Sequence, residues 1–246
     1  MANFDYKKID GRKKSQLILG YFNSVARKYD MMNTFLSFGI HHVWKRKAVR
    51  MLGLNSGDRI LDVCGGTGDL AIHAARAVDL VGHVTLYDFS GAMINAGRLK
   101  NNNSSIRKRV QYIQGDAQQI SFQDEIFDAA MVGFGIRNVI DMKKGFKEMY
   151  RVLKPGGKMM CLEFSKPALP LFRLLYDYYS FYIIPFLGKS ITGSQQAYIH
   201  LPESIRTFPS PDELSDILKN IGFFHVTHRK LTNGIAVIHL ARKNQT

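Results

Sequence analysis

Cysteine is nearly absent from this chain of 246 residues, which holds only Cys64 and Cys161. One lies beside a glycine-rich loop and the other inside an apparent strand, so neither a disulfide framework nor a metal cluster can be built from them. A reducing, cytoplasmic location is expected. Long apolar runs are also lacking: no stretch of about eighteen uncharged apolar residues occurs, which argues against a transmembrane helix. The opening residues, MANFDYKKIDGRKK, have no apolar core and include acidic side chains, unlike a secretory signal or an organelle transit peptide. Acidic residues are scarce overall, with 20 Asp and Glu against 34 Lys and Arg and a formal net charge of +14. Residues 1–50 carry eleven basic and three acidic side chains, giving +8 of that excess, and a further basic cluster stands at Arg107–Arg109. Such an excess fits an anionic partner, nucleic acid or an anionic lipid surface; it also fits a plain solvated face.

What is present is an alternation of short apolar runs with helical patterns. Strands are predicted at Arg59–Val63, His83–Tyr87, Val110–Ile113, Phe127–Val132 and Lys158–Glu163. Helices are predicted between them near Asp69–Val78, Gly91–Leu99 and Met142–Leu153, the last ended by KPGG. After Glu163 come a long aromatic helical region, a helix opening at SPDEL with Ser210 as its cap, and two runs joined by TNG. The pattern predicts a doubly wound parallel sheet closed by a hairpin that makes one strand antiparallel. No repeat or linker is visible, so residues 1–50 read as an N-terminal helical extension covering the substrate side of the same domain, and 51–246 as its catalytic body.

The segment RILDVCGGTGD, Arg59–Asp69, breaks from strand to glycines to helix, the form of a nucleotide-binding turn. Gly66, Gly68 and Ala71 even satisfy the dinucleotide fingerprint. Asp88, ending the second strand, suits two ribose hydroxyls under either reading. Three features separate them. Asp116 follows the third strand, placed to receive an adenine amine while the Ala117 amide donates to a ring nitrogen; RVLKPGGKMMCLEF and the closing hairpin match a methyltransferase body; and no second nucleotide site is offered. The expected ligand is S-adenosylmethionine, with Gly65 and Thr67 in its loop and Thr67 near its amino-acid end. The expected architecture is the class I S-adenosylmethionine-dependent methyltransferase fold, a seven-stranded, mostly parallel, Rossmann-like sheet with an antiparallel last strand.

The acceptor is narrowed by what the fourth strand leads into. An exocyclic-amine methylase of nucleic-acid bases would carry an N/D-P-P-Y loop there, yet the chain reads GFGIRNVID. Cysteine-dependent base methylation lacks a suitably placed thiol. Arg137 and Asn138 instead offer a cation and an amide at the mouth of the sheet, a pair that suits an oxygen anion.

Taken in order, YFNSVARKYDMMNTFLSFGIHHVWKR, LDVCGGTGDL, FGIRNVID, MYRVLKPGG, LEFSKP, ESIRTFP and LTNGIAVIHLARK resemble the ubiquinone and menaquinone biosynthesis C-methyltransferases, the UbiE type, over nearly the whole chain. The resemblance implies cofactor contacts at Thr67, Asp88, Asp116 and Ala117 and methylation of a ring carbon of a prenylated hydroquinone, demethylmenaquinol or a polyprenyl-methoxybenzoquinol. Gly133 departs from relatives that carry a serine there, and QQISFQDEIFD departs from their L-P-F segment. A quinol carbon is nucleophilic once a hydroxyl ionises, and a model phenol pKa of about 10 leaves little anion at neutral pH. Arg137 is therefore expected to stabilise the quinolate, Asn138 to orient the ring, and Tyr29 to add a contact or proton relay from a segment that closes over the site.

His41 and His42 suggest a metal, but adjacent residues project differently from a helix and no third ligand stands nearby in sequence, so no metal site is expected. Pro167–Lys189, aromatic and broken by charges and prolines, is too interrupted to span a bilayer; it suits a lid over a polyprenyl tunnel or a surface resting on the inner face of the cytoplasmic membrane. Homodimerisation stays open. The competing readings are a methyltransferase for another phenolic or sterol-like acceptor and, outside enzymes, a basic nucleic-acid-binding module; no nucleic-acid partner is expected.

Overall fold

The computed structural model describes residues 11–100, 106 and 108–245. The first ten residues of the basic extension and Arg107 of the basic cluster lie outside them. Seven strands form one sheet: β1 Arg59–Val63, β2 His83–Asp88, β3 Val110–Gln114, β4 Phe127–Gly133, β5 Leu153–Phe164, β6 Phe224–Leu231 and β7 Ala236–Arg242. Their spatial order is β3-β2-β1-β4-β5-β7-β6. The first five are parallel, and β7 runs antiparallel between β5 and β6. RILDV, HVTLYD and FDAAMVG are largely apolar and buried along most of their length, as central strands covered on both faces are, and this made them legible as strands.

Helices cover both faces. On one side α3 (Ile40–Leu52), α4 (Asp69–Ala77) and α5 (Gly91–Lys100) bury Trp44, Ala48, Leu52, Leu70 and Ile94 against the sheet. On the other, α6 (Met142–Val152) and a later helix, Pro211–Ile221, bury Phe146, Met149, Leu214 and Leu218. That later helix starts as expected at Ser210: its hydroxyl accepts from the Glu213 amide and the Glu213 carboxylate accepts from the Ser210 amide, a reciprocal cap worth about 1 kcal/mol.

The sequence expectation for KPGG needs correction. α6 passes straight into β5 at Leu153, which pairs with Phe127; pairing resumes at Lys158 with Ala129, so Lys154–Gly157 bulge out within the strand. The bulge is held from outside, where the Gly156 amide donates to the carbonyls of Lys243 and Asn244. The TNG connection is a tight 3-10 turn with Thr232, Asn233 and Gly234 all at positive φ.

A third layer sits over the C-terminal ends of the strands. It comprises α1 (Gly11–Val25), α2 (Tyr29–Leu36), α7 (Pro170–Tyr178), one π turn (Tyr179–Ile183), α8 (Ile184–Thr192) and α9 (Gln195–Thr207). The two prolines expected to break this region instead open helices, Pro170 in α7 and Pro185 in α8, where a missing N–H costs nothing. Val25, Met32, Ile184 and Tyr198 join this layer in its own small core. The Pro211–Ile221 helix is α10.

Candidate active site

Strands β1 and β4 are neighbours whose following loops diverge, the switch point at which open α/β sheets bind ligands. A cleft of about 1040 Å³, counted to its open mouth, lies there and is walled by Gly65, Thr67, Asp88, Asp116 and Ala117 together. All five residues expected to hold the cofactor thus meet in one place. A Cβ at Gly65 would stand 2.6 Å from Leu86 Cγ and 3.0 Å from Asp62 Oδ2, so the chain passes this point only without a side chain. Asp88 is fixed by the Gly66 and Ser90 amides, each donating at 2.8 Å to a different carboxylate oxygen. Asp116 Oδ1 accepts from the Gln118 amide at 2.8 Å. A Cβ at Gly133 would come within 2.4 Å of Leu70 Cδ1: leucine fills the space a serine side chain would need.

Two groups were missed from sequence, one lining the cleft and one bonded to its wall. Asp62 is fully buried in β1, lines the cleft, and has neither carboxylate oxygen hydrogen-bonded among the described residues. Burial pushes its pKa well up, by more than the groups around it offset. A buried carboxylate facing a cleft calls for a cation. Its sequence signal was the acid standing three residues before Gly65, the first glycine of the loop. The second is Asp30 of α2, which accepts from Thr67 Oγ1 at 2.6 Å and pairs with Lys100 at 2.9 Å. Lys100 also binds Asp69, which in turn pairs with Lys45 at 2.6 Å. Burial alone would raise the Asp69 pKa, but the two ammonium groups hold it well below the ordinary carboxylate range. This network ties α2 and α3 to the glycine loop, and α1 adds Ile18, Leu19 and Phe22 to the cleft wall.

A second, mostly apolar cavity of about 1980 Å³, likewise counted to its open mouth, lies between α1–α3 and α7–α9. The two spaces share Phe22, Tyr29, Lys45, Phe134 and Asn138 as common lining. Arg137 lines only the second cavity, and it is not a free cation. Its Nη1 lies 2.7 Å from Glu163 Oε1, and it also donates to the Phe134 carbonyl and to Ser204 Oγ. Glu163 was missed, although it is the lone acid in the apolar run KMMCLEF. Asn138 Oδ1 lies 3.0 Å from His200 Nε2 of α9. Tyr29 is half-buried between the two spaces, and burial raises its pKa.

The expectation for His41 and His42 is corrected in geometry. Both rings reach one hydroxyl, each Nε2 lying 3.2 Å from Thr34 Oγ1, because the start of α3 folds back beside the end of α2. A third candidate ligand, Asp69, comes from α4, distant in sequence but near in space. That carboxylate is already held by Lys45 and Lys100, whose charges oppose a further cation. Cys161 is wholly buried in β5, and Cys64 lines the cleft with its thiol pKa raised by burial, which disfavours the nucleophilic thiolate. Arg109 donates to the carbonyls of Ala75 and Asp79 at the end of α4.

The family profile described as ubiE/COQ5 methyltransferase matches residues 10–243. The chain belongs to the ubiE/COQ5 methyltransferase family. Among relatives of this ubiE/COQ5 chain, the ubiquinone/menaquinone biosynthesis C-methyltransferase UbiE of Francisella philomiragia is 40% identical over 242 residues, covering 98% of this chain and 97% of that one. The protein of the same name from Shewanella halifaxensis is 42% identical, covering 98% and 96%. Among solved structures, a possible histamine N-methyltransferase from Thermotoga maritima superposes with a TM-score of 0.64 at 19% identity, covering 92% of this chain and all of that one. The [4+2]-cyclase SpnF superposes with a TM-score of 0.69 at 17% identity, covering 94% and 97%. The sheet order and antiparallel β7 are thus the methyltransferase fold the sequence predicted. A cyclase on the same frame means that the reaction must be argued from the site.

Proposed function

We propose that this ubiE/COQ5 methyltransferase uses S-adenosylmethionine to methylate a ring carbon of a prenylated hydroquinone, demethylmenaquinol or a polyprenyl-methoxybenzoquinol, in isoprenoid quinone biosynthesis. The observation that carries the reading is the shared wall: the cleft that holds Asp62, Asp88 and Asp116 adjoins a larger, mostly apolar cavity at Tyr29, Phe134 and Asn138. The names of the UbiE relatives point the same way.

The cleft fits the cofactor residue by residue. Asp88 keeps acceptor capacity for ribose hydroxyls beyond its two amide bonds, Asp116 and the Ala117 amide suit adenine, and the unpartnered Asp62 carboxylate suits an ammonium group. When bound, S-adenosylmethionine supplies an electrophilic methyl group. The chain's own residues prepare the acceptor. Arg137 acts on a quinol oxygen as one half of an ion pair, so its field is tempered by Glu163, while Asn138 orients the ring and Tyr29 closes the junction. Phe172, Leu175, Tyr179 and Ile184 line the cavity farther out and suit an isoprenoid tail.

The tail also implies a lipid surface. No described helix is long and apolar enough to cross a membrane, yet α7, the π turn and α8 expose Leu171, Leu174, Leu175, Tyr178, Tyr182 and Phe186. This spacing makes one outward apolar stripe on a helical path. Phe38 and Leu175 belong both to the exposed surface and to the cavity lining, so the tail has a route from bilayer to site.

The test is an anaerobic assay with S-adenosylmethionine and reduced demethylmenaquinone or its benzoquinol counterpart, paired with mass spectrometry of quinones from a deletion strain. A product heavier by one methylene unit and a strain that accumulates the lighter quinone are expected. A strain with unchanged quinones and no product from either quinol would overturn the reading.

A further inference from the structure

We propose that His200 is a positioning residue: it fixes the Asn138 amide so that Nδ2 donates to the acceptor's oxygen at the junction of the two cavities. Asn138 ends the 3-10 turn Ile136–Asn138 that follows β4, with its own amide donating to the Gly135 carbonyl. Its backbone is set, but a carboxamide side chain has two orientations of nearly equal shape, one presenting oxygen and the other NH2. The choice matters because oxygen would repel an ionising quinol, whereas NH2 would stabilise it.

His200 decides the choice. Asn138 Oδ1 lies 3.0 Å from His200 Nε2, and an amide oxygen only accepts, so this contact is a hydrogen bond in the Nε2–H tautomer, the one the proposal assigns. Nδ2 is then turned away from the ring. It is buried and has no hydrogen-bond partner among the described residues, and its residue lines both cavities. A buried donor left without an acceptor is costly, and a ligand oxygen at this place relieves that cost. The ring itself is held: His200 is buried on α9 and lies 5.8 Å, centroid to centroid, from Tyr21 of α1. Burial, with Arg137 and Lys14 adding to it, lowers its pKa to about 4, which keeps the imidazole neutral and the tautomer meaningful. Sequence reading assigned Asn138 the task of orienting the ring; the structure adds the residue, 62 positions away, that orients Asn138.

The inference rests on the quinol reading of the apolar cavity, and its experiment separates the two. On the full chain, nitrogen-15 NMR of the histidine rings should show His200 with the proton on Nε2; a proton on Nδ1 overturns the proposal without any substrate being needed. In the anaerobic assay with a short-tailed demethylnaphthoquinol, H200F, which fills the space without a donor, should lower kcat about tenfold or more, the scale of one lost hydrogen bond to a developing charge. H200Q places an amide donor near the former Nε2 and should restore kcat to within about threefold of the parent. Binding of S-adenosylhomocysteine should be equal in all three. H200F turning over at the parental rate, or H200Q as slow as a well-folded H200F, overturns the positioning role. If the parent methylates no quinol, the function falls, while the NMR result still decides whether His200 sets the amide.

Discussion

Glu163 Oε1 lies 2.7 Å from Arg137 Nη1, and the two side chains are only 2% and 6% exposed. The pair sits where β5 and the turn after β4 meet the apolar cavity, with the Phe164 ring 5.2 Å from the Arg137 guanidinium carbon. Burial raises the Glu163 pKa, and the arginine charge works against that rise. The cation proposed to favour a quinolate therefore arrives already partnered. On that proposal the acid would temper the arginine's influence on the acceptor, a tuning element that a lone arginine lacks.

Removing either partner alone has two consequences. R137M leaves a buried carboxylate without its cation, and breaking such a pair typically costs about 3 to 5 kcal/mol of stability; R137M/E163Q should regain much of that. On activity the double variant should be slow near neutrality and recover partly at high pH, because bulk ionisation then supplies the quinolate. E163Q should do the reverse, shifting the rising limb of kcat against pH downward by about one unit as the cation is released from its partner. Anaerobic pH–rate profiles and urea melts decide this; coincident profiles for parent, E163Q and the double variant would remove Arg137 from the chemistry.

The limits of sequence reading follow from the same pair. The central strands were legible because each is apolar by itself, and the α10 cap because Ser210 and Glu213 lie within one turn. Gly65, Thr67, Asp88, Asp116 and Ala117 were legible as a group because the topology of an α/β sheet brings consecutive strand ends together. Partnerships that cross the topology were not. Arg137 and Glu163 are 26 residues apart, and Asp69 reaches His41 and His42 only through packing of α3 on α4. The KPGG bulge was hidden because the residues that would end a helix also fit a strand irregularity, and its anchors at Lys243 and Asn244 lie at the far end of the chain.

Asp62 and Asp88 should divide the cofactor between them. D62N removes charge from a buried, unpartnered acid with almost no change in shape, so it should weaken S-adenosylmethionine and S-adenosylhomocysteine, which both carry an ammonium group, by about 1.5 to 3 kcal/mol. It should leave 5′-methylthioadenosine, which lacks that group, unaffected. D88A should weaken all three, since each has the ribose. Titration calorimetry reads the pattern directly, and a D62N protein that loses affinity for methylthioadenosine as strongly as for the full cofactor would show a damaged loop rather than a lost ion pair.

The apolar stripe on α7 and α8 sets the final prediction. Leu171 and Leu174 are 72% and 67% exposed, and α7 buries none of its residues, so converting both to glutamine should leave the fold intact. Two contributions to vesicle binding should then separate. Exposed Lys166 and Lys189 flank the stripe in sequence, and with the basic excess they should make binding stronger on anionic than on neutral vesicles, by about 1 kcal/mol for each basic side chain near the surface. That part should fall as salt rises, because screening shortens the reach of each charge. The apolar part should persist in high salt and be lost in the double glutamine variant. Activity adds a control that adsorption alone does not provide: the variant should keep its rate on a short-tailed quinol in solution while slowing on a long-tailed quinol embedded in vesicles. Equal rates on the embedded substrate would mean that the tail enters the cavity by another route and that the stripe serves no delivery role.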